Sequence, residues 1–151
     1  MAPLEPQPGY LLSDDLIFAS RISGTAHDLG FRVIPVRSTD ALRDVVHAHC
    51  PRCVLVDLAN PGLVIAELMK NLAHVAPRPF VVAYGSHVDT KTLQAARDAG
   101  CDVVWPRSKF VTELATAMPH WFGKHEAPKP QEAPKSQGES KPQGESSSPG
   151  G

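Results

Sequence analysis

The chain has 151 residues, of which 42% are hydrophobic and 21% are charged. Its 15 basic and 16 acidic side chains give a formal net charge of −1, which excludes a general attraction to nucleic acid or to an anionic membrane. No apolar run approaches the roughly 18 residues that cross a bilayer, and the first residues do not resemble a signal peptide. We therefore expect a cytoplasmic protein, and the odd number of cysteines (three) argues against a disulfide scaffold.

The composition changes abruptly near residue 124. From Glu126 to the last residue, the only apolar side chains are Ala127 and Ala133. Such a segment buries too little apolar area to offset the entropy lost on ordering. The sequence therefore predicts a flexible N-terminus at 1–8, one domain at 9–124 and a disordered tail at 125–151.

Within the predicted domain, short apolar runs alternate with longer stretches of helical spacing. The runs predict strands at 10–12, 32–36, 53–56, 80–83 and 103–105. Pro35 in the second run has no N–H donor, which favours an edge strand. The third run is unbroken up to Asp57, as in strands that are buried on both faces.

The helical stretches follow each predicted strand. Apolar side chains recur at three- and four-residue intervals, and the first and fourth helices are expected to end at Gly30 and Gly100. Ser38 or Thr39 is the expected N-cap of the second helix, and Ser108 that of the fifth. Five successive β–α units predict an α/β fold, a three-layer sandwich with a five-stranded parallel sheet in the flavodoxin-like order 2-1-3-4-5.

Acidic residues cluster at the predicted carboxyl edge of this sheet. Asp14 and Asp15 follow the first strand, and Asp57 ends the third, its expected neighbour. Three carboxylates this close repel one another, and a Mg²⁺ ion with oxygen ligands would relieve the repulsion. Asp14 and Asp15 could instead only cap the following helix.

With these residues placed, the chain resembles the response-regulator receiver domains of two-component signalling from Gly9 to about Phe122. The resemblance is carried by the acidic pair after the first strand, the turn at 57–62 and residues 99–102 before the fifth strand. It implies that Asp57 accepts a phosphoryl group from a histidine kinase, as a carboxylate nucleophile. It also implies that Asp14 and Asp15, with Asp57, hold Mg²⁺.

Two positions depart from the receiver pattern. Tyr84 stands where receivers have a Ser or Thr that contacts the phosphoryl group, with Ser86 two places on. Arg107 stands at the position of the receiver Lys, and a planar guanidinium differs in geometry from a compact ammonium. Lys109 is a candidate substitute. An intact acidic cluster combined with these two changes indicates an atypical receiver or pseudo-receiver.

We therefore predict a stand-alone receiver-like signalling protein that is not an enzyme and acts through protein–protein contacts. Its partner would be a histidine kinase or a phosphotransfer protein, with no direct contact to nucleic acid or membrane. The fifth helix is followed only by the predicted tail, so the output is expected to come from another molecule. The alternatives are a phosphorylated single-domain response regulator with Asp57 as acceptor and a flavodoxin-like domain that binds a small ligand.

A metal or redox protein is a further alternative, because Cys50 and Cys53 form a C-x-x-C pair just after His47 and His49. The pair precedes a strand, however, whereas a reactive redox thiolate is usually found at a helix N-terminus. A zinc site would also place all four ligands in one loop. A loop with one buried thiol is the favoured interpretation.

Overall fold

Five strands and five helices alternate along residues 7–123, the part of the chain that the computed structural model describes. The strands are β1 (Gly9–Leu12), β2 (Val33–Val36), β3 (Cys53–Asp57), β4 (Phe80–Gly85) and β5 (Val103–Pro106). The helices are α1 (Leu16–Asp28), α2 (Thr39–His49), α3 (Ile65–Leu72), α4 (Thr90–Asp98) and α5 (Arg107–Trp121). The predicted tail at 125–151 and most of the predicted flexible N-terminus lie outside the described residues, and the domain boundaries stay a prediction.

The sheet has the order β2-β1-β3-β4-β5, and every pair of neighbouring strands is parallel. This confirms the predicted three-layer sandwich and its strand order. β2, which contains Pro35, lies at the edge of the sheet as predicted. The register pairs Leu12 with Val56, and Asp57 with Tyr84.

Alternate residues of β3 enter two apolar layers on opposite sides of the sheet. Val54 and Val56 pack in a layer with side chains of α2, α3 and α4. Leu55 packs in the other layer, which contains side chains of α1 and α5. All residues of β3 are buried. This explains why apolar residues follow one another without interruption from Cys53 to Val56.

The helix starts confirm one predicted cap and correct another. Ser38 accepts a hydrogen bond from the backbone N–H of Ala41, as an N-cap does. The prediction that Ser108 caps the fifth helix is wrong, because α5 already begins at Arg107. Pro106 is the N-cap, with φ −61° and ψ 151°, so the chain turns directly from β5 into the helix without a capping side chain. Arg107 is thereby fixed in the first turn.

Replacement of Gly9 by Ala is expected to destabilise the domain by about 1–3 kcal/mol. A Cβ at this position would lie 2.7 Å from the Phe122 ring and 3.1 Å from the Cys53 carbonyl oxygen. Urea unfolding measures the change. Gly24→Ala is the matched control, because a Cβ there meets nothing within 4 Å. Gly24 is an exposed residue in the middle of α1, where Ala is favoured over Gly by about 0.5–1 kcal/mol. Equal stabilities of the two variants would contradict the packing described at Gly9.

Candidate functional site

Asp57 ends β3 at the carboxyl edge of the sheet and is only 3% exposed. The Ser13 hydroxyl donates a hydrogen bond of 2.8 Å to its Oδ2 atom, and the backbone N–H of Ala59 donates one of 2.9 Å to Oδ1. Both carboxylate oxygens thus have a donor from the chain. These bonds reduce the free-energy cost of burying a charged group here.

Ser13 is a site residue that the sequence analysis missed. Since β1 and β3 are parallel and Leu12 pairs with Val56, the next residue along β1 lies beside Asp57. That residue is the fully buried Ser13, whereas Asp14 is exposed. The sequence contains one signal for this pairing. Ser13 is the first polar residue after the apolar run of β1, as Asp57 is the first after the apolar run of β3.

Asp15 has the capping role that the sequence left open. Its Oδ1 atom accepts a 3.0 Å hydrogen bond from the backbone N–H of Phe18, in the first turn of α1. Its other oxygen, Oδ2, lies 3.8 Å from Nη1 of Arg107. Asp15 therefore both starts a helix and contributes negative charge to the site.

The Arg107 guanidinium lies between the two carboxylates. Its Nη2 atom is 3.9 Å from Oδ2 of Asp57, and the side chain is 43% exposed. The guanidinium carbon also lies 4.3 Å from the centroid of the Phe18 ring, within cation–π range. The ring and the two carboxylates together hold the arginine next to Asp57.

Tyr84 is completely buried next to Asp57 in the sheet. Its ring packs edge-on against Phe18, with 5.3 Å between centroids, and in a tilted arrangement against Phe110, with 4.4 Å between centroids. Its hydroxyl has no hydrogen-bond partner among the described residues. Burial, and secondarily the Asp57 charge, raises the pKa of the Tyr84 phenol far above its usual value, so the group stays neutral.

Ser86 and Lys109, the two other positions noted in the sequence, are not paired with Asp57. Ser86 is exposed, and its hydroxyl accepts a hydrogen bond from the backbone N–H of Val88. The Lys109 ammonium lies 5.1 Å from the centroid of the Trp105 ring and forms no ion pair with Asp57. Arg107 is therefore the cation of the site.

The described residues do not fit a Mg²⁺ ion held by three carboxylates. Within residues 7–123 no three His, Cys, Asp or Glu side chains form a group that could hold a metal ion. Asp15 and Asp57 face Arg107, and Asp14 is exposed. Mg²⁺ binding by Asp14, Asp15 and Asp57 stays a prediction.

The cysteine and histidine cluster is spread over separate environments. The Cys53 thiol is fully buried in the layer under α1 and α5, whereas Cys50 is half-buried in the layer on the other side. The ring of His47 forms a 2.9 Å hydrogen bond with the side-chain oxygen of Asn71. This arrangement favours the loop interpretation over a zinc or redox site.

The stability of the folded state at alkaline pH tests whether the Tyr84 phenol is buried. A phenol that is neutral when folded and ionises when unfolded lowers the stability of the folded state as the pH rises above 10.0, the usual pKa of tyrosine. Tyr84→Phe is expected to change the free energy of unfolding little at pH 7, because the lost hydroxyl has no partner among residues 7–123. Above pH 10 the variant is expected to lose less stability than the wild type.

Urea unfolding of both proteins from pH 7 to pH 11 measures the difference in slope. Burial also raises the pKa of the Cys101 thiol, to about 11, and that of the Cys53 thiol further, so both proteins share an alkaline loss of stability. Identical slopes for the wild type and Tyr84→Phe would contradict the buried, unpaired phenol.

Solved structures with this fold include receiver domains of bacterial signalling proteins. The receiver domain of a sensor histidine kinase from Pseudomonas aeruginosa, with a magnesium ion coordinated in its active-site cleft, is 18% identical. It superposes with a TM-score of 0.67 over 78% of this chain and 98% of its own. A putative response regulator from Chloroflexus aurantiacus is 16% identical, with a TM-score of 0.68 over 79% of this chain and 99% of its own.

The receiver domain of the putative response regulator NarL from Mycobacterium tuberculosis is 17% identical, with a TM-score of 0.67 over 81% of this chain and all of its own. No family model and no curated protein sequence matches the chain. The chain thus has the fold of response-regulator receiver domains, which confirms the predicted fold. Within residues 7–123, no helix is both long and apolar enough to traverse a lipid bilayer.

Proposed function

We propose that the chain is a receiver-like signalling domain that acts by binding a protein partner and has no rapid phosphorylation switch. The observation that carries the proposal is the position of Arg107, with its guanidinium 3.9 Å from Asp57 and 3.8 Å from Asp15. A cation fixed there neutralises the carboxylates without a metal ion. The domain is then held in one state, independently of phosphate.

Phosphoryl transfer to Asp57 would need a free carboxylate oxygen and cationic stabilisation of the transferring group. Both oxygens of Asp57 accept hydrogen bonds from Ser13 and Ala59, and little of the side chain is exposed. Arg107 supplies positive charge, but it is already shared by Asp15 and Asp57. These contacts favour slow transfer or none, with weak Mg²⁺ binding at most.

The buried tyrosine also supports the absence of a switch. In the receiver pattern a small hydroxyl at this position follows the phosphoryl oxygens. The ring of Tyr84 is packed against Phe18 and Phe110 and is fully buried. A ring in this packing has no room for the inward movement that a Ser or Thr side chain makes, so phosphorylation would not be transmitted through it.

Incubation with Mg²⁺ and acetyl phosphate tests the proposal, with intact-mass spectrometry as the readout. We expect no phosphoryl adduct on the wild type under conditions that label a phosphorylatable receiver domain in parallel. Asp57→Asn is expected to leave the affinity for a phosphotransfer-protein partner within about tenfold, or 1.4 kcal/mol. Rapid Mg²⁺-dependent labelling that Asp57→Asn abolishes would overturn the proposal in favour of a phosphorylated response regulator, the second candidate, which the magnesium-bound structural neighbour favours.

A further inference from the structure

A cleft of about 760 Å³ opens between α1 and α5 at the carboxyl edge of the sheet, and we call it the α1–α5 cleft. α1 contributes Arg21 to its wall, and α5 contributes Arg107 and Ser108. Ser86 and His87, which follow β4, line its far side. Asp57, at the end of β3, lines it as well, so the cleft gathers polar side chains from four separate segments.

The residues that line the α1–α5 cleft include two arginines and one carboxylate, and Asp15, outside the lining, lies beside Arg107. The carboxylate of the lining, Asp57, is already hydrogen-bonded by Ser13 and Ala59. Arg21 is exposed and forms no ion pair with any described residue. Arg107 lies 3.8–3.9 Å from its carboxylates, beyond hydrogen-bond distance, so its N–H donors are available. A ligand that fits this lining is an anion.

The first turn of α5 adds donors to the same wall. This 15-residue helix begins at Arg107 with no capping side chain and no acidic residue in its first turn. Its first N–H groups are not used inside the helix, and the helix dipole places partial positive charge there. Ser86 and Ser108 also line the cleft. Backbone amides, hydroxyls and arginines together are typical ligands of a phosphate group.

The size and the apolar part of the lining indicate an organic ligand. The volume falls within the range of about 300–1,000 Å³ usual for small-molecule pockets, far more than a bare phosphate ion fills. Phe18 and Val111 face the cleft from its two helices. They give the non-phosphate part of a ligand an apolar surface to contact.

We propose that the α1–α5 cleft reversibly binds a small organic phosphate, with the phosphate between Arg21 and Arg107 and the organic part against Phe18 and Val111. This function goes beyond the proposed partner binding, because it needs neither phosphorylation of Asp57 nor a protein. A bound phosphate competes with Asp57 and Asp15 for Arg107. Binding would thus change the ion pairs of Arg107 with Asp15 and Asp57, which hold the site in a single state.

Amide NMR of the full chain, titrated with adenosine 5′-monophosphate and with ribose 5-phosphate, tests the site. At least one of the two is expected to cause saturable shifts at Arg21, Ser86 and Ser108, whereas adenosine and ribose cause none. Arg21→Gln is expected to weaken binding about tenfold or more, since it removes a charge-assisted bond to phosphate. Arg97→Gln, an exposed arginine of α4 outside the cleft, is the matched control and should bind like the wild type.

Three outcomes would overturn the inference: no saturable shift with either phosphate, equal weakening in Arg21→Gln and Arg97→Gln, or inorganic phosphate binding as tightly as both organic ligands. None of them bears on phosphorylation, because that is read as a covalent change in mass with acetyl phosphate. Covalent labelling of Asp57 would overturn the proposed absence of a switch and leave the titration unaffected. The two proposals can therefore fail separately.

Discussion

Replacement of Ser13 by Asp is expected to destabilise the domain by about 3 kcal/mol in the absence of divalent metal. The Ser13 hydroxyl lies 2.8 Å from Oδ2 of Asp57, and both side chains are buried. A carboxylate at this position replaces a hydrogen-bond donor by a like charge, in a place where water cannot separate the two. Arg107, 3.9 Å away and partly exposed, offsets only part of the repulsion.

The same substitution is expected to create a response to Mg²⁺. Two buried carboxylates side by side at a sheet edge offer the oxygen ligands that Mg²⁺ prefers. Millimolar Mg²⁺ should therefore raise the melting temperature of Ser13→Asp, in scanning calorimetry, and change that of the wild type little. A ligand that binds only the folded state stabilises it by an amount that grows with the logarithm of the ligand concentration once this exceeds the Kd.

Asp14→Asn is the matched control for Ser13→Asp. Asp14 is the neighbouring residue but is exposed, so its loss should change the stability by no more than about 0.5 kcal/mol, with or without Mg²⁺. Strong destabilisation by Asp14→Asn, or an unchanged stability in Ser13→Asp, would show that Asp14 and not Ser13 lies beside Asp57. The register of β1 against β3 would then be wrong by one residue.

Phe110→Ala is expected to reduce the free energy of unfolding by about 3–5 kcal/mol. Phe110 is fully buried, and its ring packs against those of Tyr84 at 4.4 Å, Trp121 at 5.7 Å and Phe18 at 6.2 Å. The truncation leaves a cavity bordered by rigid rings that cannot collapse into it. The loss is measured by urea unfolding at neutral pH.

Two further variants keep this result interpretable. Phe110→Leu should fold with a smaller loss, of about 1–1.5 kcal/mol, even if Phe110→Ala does not. Val111→Ala, the next residue of α5 and only half-buried, is expected to lose about 1 kcal/mol or less. A similar loss in Phe110→Ala and Val111→Ala would contradict the aromatic packing that fixes Tyr84.

Arg107 links the two functional proposals through one side chain. Its guanidinium is shared by Asp57, Asp15 and the Phe18 ring. The same guanidinium lines the α1–α5 cleft. An anion in the cleft and the carboxylates below it therefore draw on the same positive charge, which couples ligand binding to the state of the site.

The sequence by itself determined the order and type of the elements, the sheet and the edge on which the site lies. Alternation of short apolar runs with helical periodicity is a local signal, and right-handed crossovers leave few ways to assemble five β–α units. Pro35 identified an edge strand, and the unbroken run before Asp57 identified a strand that is buried on both faces. Ser38 was one of two candidate caps of the second helix, because capping is also local.

Tertiary structure alone decided which residues meet at that edge. Whether Ser13 or Asp14 lies beside Asp57 depends on a one-residue difference in strand register, which adjacent acidic residues conceal. The direct entry of the chain into α5 at Arg107 sets where the guanidinium points, and the rings of α1 and α5 bury Tyr84. The α1–α5 cleft is likewise formed by residues distant in sequence, so its charge and volume arise only when the helices pack against the sheet.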